Sequence, residues 1–283
     1  MDEGTWRQLW VQAAKELGSE LDARRIVQWA SRLSGSEWTS VLDDRVEGPS
    51  RESARAMLDR RLGGEPLQYI LGRWGFRHLD LRVDKRALIP RPETEQVTEE
   101  ALAELARLSG RVVVDLGTGS GAIAWSVLTE APSSQVWAVD ISPDALALAG
   151  ENLAELDLTA RQRAHVLRGS WFEPLPAEIR GRVDVVVSNP PYVSQAEAAT
   201  LSPEVAAWEP ATALVPGPSG LEAIAHVISQ APHWLARPGA LVVEIAPSQA
   251  QPAADLARQA GFDFVEVRPD LAHRPRSLVS RLA

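Results

Sequence analysis

The chain has 283 residues, of which 45% are hydrophobic and 24% charged, with a formal net charge of -9. That length exceeds the usual single domain, so two domains sharing one dominant core are expected. The acidic balance argues against a protein that coats nucleic acid non-specifically. The absence of cysteine excludes disulfides, thiolate catalysis and cysteine-zinc sites.

No apolar run approaches the ~18 residues a membrane span needs. The N-terminus lacks a charged-then-apolar signal pattern, so the cytoplasm is the expected location. Apolar residues at Trp6, Leu9, Trp10, Ala13, Ala14 and Leu17 recur at helical spacing. Leu21, Ile26, Val27 and Ala30 predict a second helix, and Trp38, Val41 and Leu42 a third. Ala54, Met57, Leu58 and Leu62 predict a fourth, stopped by Gly63-Gly64. This is a small helical bundle with no catalytic constellation of its own. Lys15, Arg24, Arg25, Arg51, Arg55, Arg60 and Arg61 are scattered among acids and read mainly as solvated surface. The functional alternative is a face that docks a macromolecular substrate.

Residues 65–92 change character. Glu65–Gly72 leads into Trp74-Gly75-Phe76, and Leu79–Val83 alternates like a strand, which predicts a hairpin linking the domains. The expected division is 1–85 and 86–283. Leu88-Ile-Pro-Arg-Pro-Glu-Thr-Glu95 then opens a helix through Val97, Ala101, Leu102 and Leu105, ending near Gly110. Beyond it, strands are predicted at 112–115, 135–140, 165–167, 183–187, 240–245, 262–267 and 278–282. Helices are predicted at 122–128, 143–156, 220–235 and 247–259. Such alternation implies an α/β fold with a mostly parallel sheet covered on both faces. Sheets of that kind bind ligands at the carboxyl ends of their strands.

Two of those ends carry chemistry. Asp115-Leu-Gly-Thr-Gly-Ser-Gly121 sits where the first sheet strand meets its helix. Glycines 117, 119 and 121 let backbone turn tightly and approach a ligand. Alone, such a turn is shared by several nucleoside binders, but the missing Lys-Ser/Thr disfavours a triphosphate loop. Asp140 ends the next strand, placed to bind ribose hydroxyls. The competing reading is an acid at a helix start, with Ser142 the likelier cap. The second end is Ser188-Asn-Pro-Pro-Tyr192, after the β-branched run Val183–Val187. The prolines stiffen it, and it presents the Asn189 side-chain oxygen and the Pro190 carbonyl beside the Tyr192 ring. An ordinary turn is the plain alternative. The functional reading is a grip for a planar group carrying NH2. A nicotinamide cofactor is the first rival, yet this tip has no evident task in hydride transfer. It has one in methyl transfer to an amino or amide nitrogen.

The sequence resembles the peptide chain release factor N5-glutamine methyltransferases, the PrmC/HemK family. The likeness runs almost the whole chain and includes Gly63–Gly72, Ile89–Glu95, Asp115–Gly121, Trp171–Leu175, Ser188–Tyr192 and Glu209–Leu214. Asn-Pro-Pro-Tyr also occurs in DNA adenine methyltransferases; the Pro-Arg-Pro-Glu-Thr-Glu segment and the N-terminal bundle narrow the choice. The resemblance implies a Rossmann-like class I methyltransferase with a mostly parallel seven-stranded sheet, plus the helical bundle joined by a β-hairpin. It implies S-adenosylmethionine as cofactor and the glutamine of the Gly-Gly-Gln motif of class I release factors as substrate. Alternatives are a DNA adenine amino-methyltransferase, a glutamine methyltransferase acting on a ribosomal protein, and a non-catalytic binding module.

By the same resemblance, Gly117, Thr118, Gly119, Ser120 and Gly121 cradle the methionine portion of the cofactor. Asp140 holds the ribose, Trp171 packs near the adenine, and Asn189 adjoins the cofactor. Asn189 and Pro190 accept the two amide hydrogens of the substrate, with Pro191 and Tyr192 against its plane. Asn189, Pro190 and Tyr192 are the catalytic candidates. Ser170, where the family often has an acid, and His273, where it usually has Gly, depart from the pattern. The five histidines show no metal-ligand spacing, so no metal is expected. Nor is DNA or a membrane expected as a partner, and a monomer is the expected state.

Overall fold

The computed structural model describes residues 4–283. Two compact units emerge: the chain through Arg73 together with Pro203–Trp208, and residues 74–202 with 209–283.

The first unit begins with α1 (Trp6–Leu17), α2 (Glu20–Ser31), α3 (Gly35–Ser40), α4 (Gly48–Leu62) and α5 (Leu67–Leu71). Thr5 and Gln8 close a reciprocal capping box at the start of α1, and Ser19 caps α2. The apolar stripes meet in a core that includes Trp6, Leu9, Ile26, Val27, Trp38 and Leu58. The Trp6 and Trp38 rings meet edge to face at 5.7 Å. Pro203–Trp208 joins this unit, where Arg61 bridges Asp22 at 2.8 Å and Glu204 at 3.3 Å. Helix α3 stops at Ser40, short of the predicted Val41 and Leu42. Helix α5 was not predicted: one turn holds too few residues for an apolar period to register.

The second unit carries the hairpin β1 (Arg73–Phe76) and β2 (Leu79–Arg82) from Trp74 on, then α6 (Pro92–Leu108), β3 (Val112–Leu116), α7 (Ala122–Glu130) and β4 (Gln135–Asp140). Next come α8 (Pro143–Leu153), α9 (Leu158–Gln162), β5 (Ala164–Arg168), β6 (Val183–Ser188) and α10 (Gln195–Ala198). After α11 (Pro203–Trp208) of the first unit come α12 (Glu222–Gln230), β7 (Leu235–Glu244), α13 (Ala250–Gln259), β8 (Phe264–Pro269) and β9 (Pro275–Leu282).

The seven-stranded sheet has the order β5-β4-β3-β6-β7-β9-β8, and β9 runs antiparallel to both its neighbours. Helices cover the sheet because its central strands are apolar on both faces: Val113, Val114, Val185, Val186, Val187, Leu241 and Val242 are all buried. The predicted helix over 220–235 ends at Gln230. A short 3-10 turn, Ala231–His233, follows, and β7 begins at Leu235. Pro232 lacks the N–H that a continued helix needs. The strand order reverses between β3 and β6, and that reversal opens the crevice at the carboxyl ends of β3, β4 and β6.

Candidate active site

The glycine loop leaves β3 bent tightly against β4. The Gly117 and Thr118 N–H groups both donate to the Val139 carbonyl, at 2.8 and 3.0 Å. Gly117, Gly119 and Gly121 have φ of 72, 56 and 85°, the left-handed region where a side chain is strained. A Cβ on Gly121 would lie 1.9 Å from Trp125 Nε1, so that glycine serves packing rather than a ligand. Gly117 is different: its Cβ position looks onto the Trp171 ring at 4.0 Å and the Asn189 carbonyl oxygen at 3.8 Å. The backbone there lies open to the crevice.

Two aspartates fix this loop. Asp115 is fully buried in β3 and accepts from Thr118 Oγ1 at 2.6 Å and the Ala124 N–H at 3.2 Å through Oδ2, while its Oδ1 has no partner among the described residues. Burial pushes its carboxyl up to about 7, against the pull of those two donors. Asp140 ends β4. Its Oδ2 accepts the Gly119 N–H and its Oδ1 the Ser142 N–H, each at 2.9 Å. Burial raises Asp140 as well, and the same backbone donors oppose that rise. Ser142 caps α8, accepting from the Ala145 N–H. Asp140 therefore holds the loop, and each carboxylate oxygen keeps lone-pair capacity for a ligand hydroxyl.

The tip after β6 is held by partners distant in sequence. Asn189 Nδ2 donates to Thr94 Oγ1 at 3.0 Å, in the first turn of α6. Thr94 Oγ1 donates to Glu244 Oε2 at 2.6 Å, and the Tyr192 hydroxyl donates to Glu244 Oε1 at 3.2 Å. Among the described residues no group donates to Asn189 Oδ1. The Tyr192 carbonyl accepts from Gln249 Nε2 at 2.9 Å, and Ser188 Oγ donates to the Leu116 carbonyl at 2.7 Å, tying the tip to β3. Glu244 is buried at the carboxyl end of β7, and burial raises its pKa against the Thr94 bond and the charge of Arg276.

Around these elements lies a cavity of about 570 Å³, within the ~300–1,000 Å³ range of small-molecule sites. Gly117, Thr118, Gly119, Ser120, Asp140, Trp171, Asn189 and Pro191 line it together. Gly121, Pro190 and Tyr192 do not. Pro190 is buried, and the Tyr192 hydroxyl is engaged by Glu244. Residues given no cofactor or substrate role from the sequence also line the cavity: Thr94, Ser142, Glu222 and His226. His226 lies 6.2 Å from Trp171, ring to ring, so the two form an aromatic corner. Pro210, Thr212 and Ala213 form another wall. Glu209 ties that wall to the segment before α6 by accepting from the Ile89 N–H at 3.4 Å and pairing with Arg91.

An adenosyl sulfonium cofactor suits this donor set. The open glycine backbone admits close approach, the Asp140 carboxylate suits a ribose diol, and Trp171 and His226 offer flat walls for a base. Among the described residues no group of three or more His, Cys, Asp or Glu could hold a metal ion. No described helix is long and apolar enough to cross a membrane.

Comparison with known proteins agrees with this geometry. The family described as PrmC N-terminal domain matches residues 8–72, and the one described as Methyltransferase small domain matches residues 93–207. The chain is 39% identical to a release factor glutamine methyltransferase of Cereibacter sphaeroides over 264 residues, 92% of this chain and 90% of that one. It is 40% identical to the protein of the same name from Bordetella pertussis over 253 residues, 89% and 91% of the two chains. Among solved structures, the hMettl16 catalytic domain bound to MAT2A 3'UTR hairpin 1 matches with a TM-score of 0.57 over 80% of this chain and 81% of that one. At 17% identity that likeness shows the fold alone.

Proposed function

This chain belongs to the release factor glutamine methyltransferase family, and from that premise we propose that Asn189 and the Pro190 carbonyl hold the substrate carboxamide beside the cofactor cavity. The enzyme is an S-adenosylmethionine-dependent protein-glutamine methyltransferase whose substrate is a release factor. Our reading is that the target is the glutamine of the Gly-Gly-Gln motif. It further gives residues 1–85 the task of docking that partner and residues 86–283 the chemistry. The expected setting is a cytoplasmic monomer that leaves DNA unmodified, in keeping with the net charge of -9.

The bound cofactor supplies a methyl group on a sulfonium, a strong electrophile. What the chain must supply is position. An amide nitrogen is a poor nucleophile because its lone pair is delocalised into the carbonyl. Two acceptors fix the direction of its N–H bonds and so aim the nitrogen. They also favour the partial positive charge that grows on it as the new bond forms. Asn189 Oδ1 is one acceptor and the Pro190 carbonyl the other, with Pro191 and Tyr192 setting the plane. Asp140 orients the ribose, and Gly117–Ser120 give the remainder of the cofactor an open backbone. Trp171 and His226 flank the base. The tip offers no general base: the Tyr192 hydroxyl is pushed far above its ordinary range by burial and by Glu244. The methylated nitrogen therefore loses its proton to solvent.

One observation carries the proposal. The Asn189 NH2 is already committed to Thr94, which leaves its oxygen without a donor among the described residues, and Asn189 lines the cavity. The direct test supplies labelled S-adenosylmethionine and, separately, a class I release factor, a ribosomal protein fraction and duplex DNA. Label on a release factor glutamine is the expected result. Label on DNA or on the ribosomal fraction alone would overturn the reading.

A further inference from the structure

Asn189 can grip a carboxamide only if its own amide presents oxygen, not NH2, to the substrate. A flipped Asn189 would set donors against donors. The asparagine's immediate surroundings do not decide this, because a threonine hydroxyl serves equally as donor or acceptor. The decision lies one bond further away.

We infer that Glu244, acting through Thr94, is the positioning group that fixes which end of Asn189 faces the substrate. This rests on the glutamine-methyltransferase reading above. Thr94 Oγ1 carries one hydrogen, and it lies 2.6 Å from Glu244 Oε2. In that bond the Thr94 hydroxyl is the donor and the Glu244 oxygen the acceptor, so the hydrogen points to Glu244. Thr94 Oγ1 is then left with lone pairs alone toward Asn189, and the atom it meets at 3.0 Å must be Nδ2. The polarity of the chain Asn189 → Thr94 → Glu244 runs one way, and the buried acceptor at its end sets the direction. The second carboxylate oxygen receives the Tyr192 hydroxyl, so one acid orders both side chains of the tip.

The fold makes this economical. Strands β6 and β7 are neighbours with Ser188 opposite Val243, so Asn189, just past β6, lies level with Glu244, the last residue of β7. Thr94 in the first turn of α6 fills the space between them. Glu244 is fully buried and does not line the cavity. A carboxylate so placed is costly unless its oxygens are satisfied and a cation is near. Two side-chain donors and the charge of buried Arg276 on β9 offset part of that cost, while burial and Glu93 on α6 still raise the carboxyl above its ordinary value. An apolar residue would fill the position at less cost, as the valines before it do.

The test compares full-length wild type with E244Q, T94V and T94S. Glutamine keeps the shape of Glu244 but can turn NH2 toward Thr94, which frees the hydroxyl hydrogen and lets Asn189 flip. Expected is a fall in turnover on release factor of about 10- to 100-fold in E244Q and T94V, the scale of losing a group that orients a reacting one. Cofactor affinity by calorimetry should stay within about threefold, and T94S should recover most of what T94V loses. In the cofactor-free protein the Asn189 side-chain NH2 signals, assigned by their loss in N189S, should move in E244Q and T94V and stay in place in T94S. Folded E244Q and T94V with turnover and NH2 signals like wild type would overturn the inference. So would a turnover loss matched by an equal loss of cofactor affinity. Should E244Q fail to fold, T94V against T94S decides. If wild type itself leaves glutamine unmethylated, the family reading falls instead, and the NH2 signals still judge the relay.

Discussion

Two aspartates at the carboxyl ends of β3 and β4 divide the work at the nucleoside end of the cavity. Asp140 lines it; Asp115 lies beneath, wholly buried, with one oxygen unpartnered among the described residues. Replacing Asp140 by alanine removes the ribose acceptor and the Gly119 N–H anchor together. Hydrogen bonds to a charged group contribute about 1.5–3 kcal/mol, so calorimetry on D140A should show cofactor affinity reduced about 10- to 100-fold. Unchanged affinity would count against the ribose assignment. Asp115 gives a pH prediction. Its folded-state pKa of about 7 lies above the ordinary 3.8, so the folded protein holds this proton more tightly than the unfolded chain. Between about pH 4 and 7 that term favours folding less as pH rises, because the native state must keep the proton or bury a charge. D115N carries no such charge and keeps an oxygen for Thr118 and Ala124. Its melting temperature relative to wild type, measured without cofactor, should therefore rise from pH 5 to pH 8. A constant difference would show that Asp115 is ionised in the folded protein throughout.

Elements, rather than single residues, decide how the site is held. The glycine loop is pinned from three sides: by Val139 of β4, by Asp140, and by Asn152 of α8, whose Nδ2 donates to the Ser120 carbonyl at 2.9 Å. Gly121 is the tightest point, because a side chain there meets both left-handed strain and the Trp125 ring. G121A should destabilise the fold by at least about 2 kcal/mol in denaturant titrations, through strain and overpacking together. A wild-type midpoint would show that α7 can shift to make room. Much at this scale was legible beforehand. The runs Val112–Asp115 and Val183–Val187 announce buried strands, and Asp140 declares itself by ending one. Glu244 interrupts the apolar run Leu241-Val-Val-Glu-Ile245, and a lone acid inside a buried strand was the available signal for it. What hid its role is distance: its partners Thr94 and Tyr192 lie 150 and 52 residues away in sequence. The reversal of β9 and the single turn of α5 were equally beyond periodicity. Alternation of elements says nothing of strand direction, and one turn completes no period.

For the whole molecule, the sequence predicts a bundle followed by a catalytic α/β domain, and the chain packs as two compact units. The contribution of Pro203–Trp208 to the first unit was not foreseeable, since no apolar pattern marks residues 193–216 and the partner of Glu204 is Arg61. If residues 1–85 dock the release factor, binding energy gathered away from the glutamine should raise catalytic efficiency. Intact release factor should then exceed a short Gly-Gly-Gln peptide by about tenfold or more in kcat/KM. Equal efficiency would assign recognition to the tip alone. Beneath these expectations lies a single claim, that a stiff corner holds a carboxamide through the Asn189 oxygen. The measurement that reaches it most directly is turnover of N189A on release factor, with methylated glutamine scored by mass spectrometry and cofactor affinity measured on the same preparation. The account predicts a fall of about 100-fold or more in turnover with cofactor affinity largely kept, the scale of one lost transition-state hydrogen-bond partner. Wild-type turnover in N189A would contradict it.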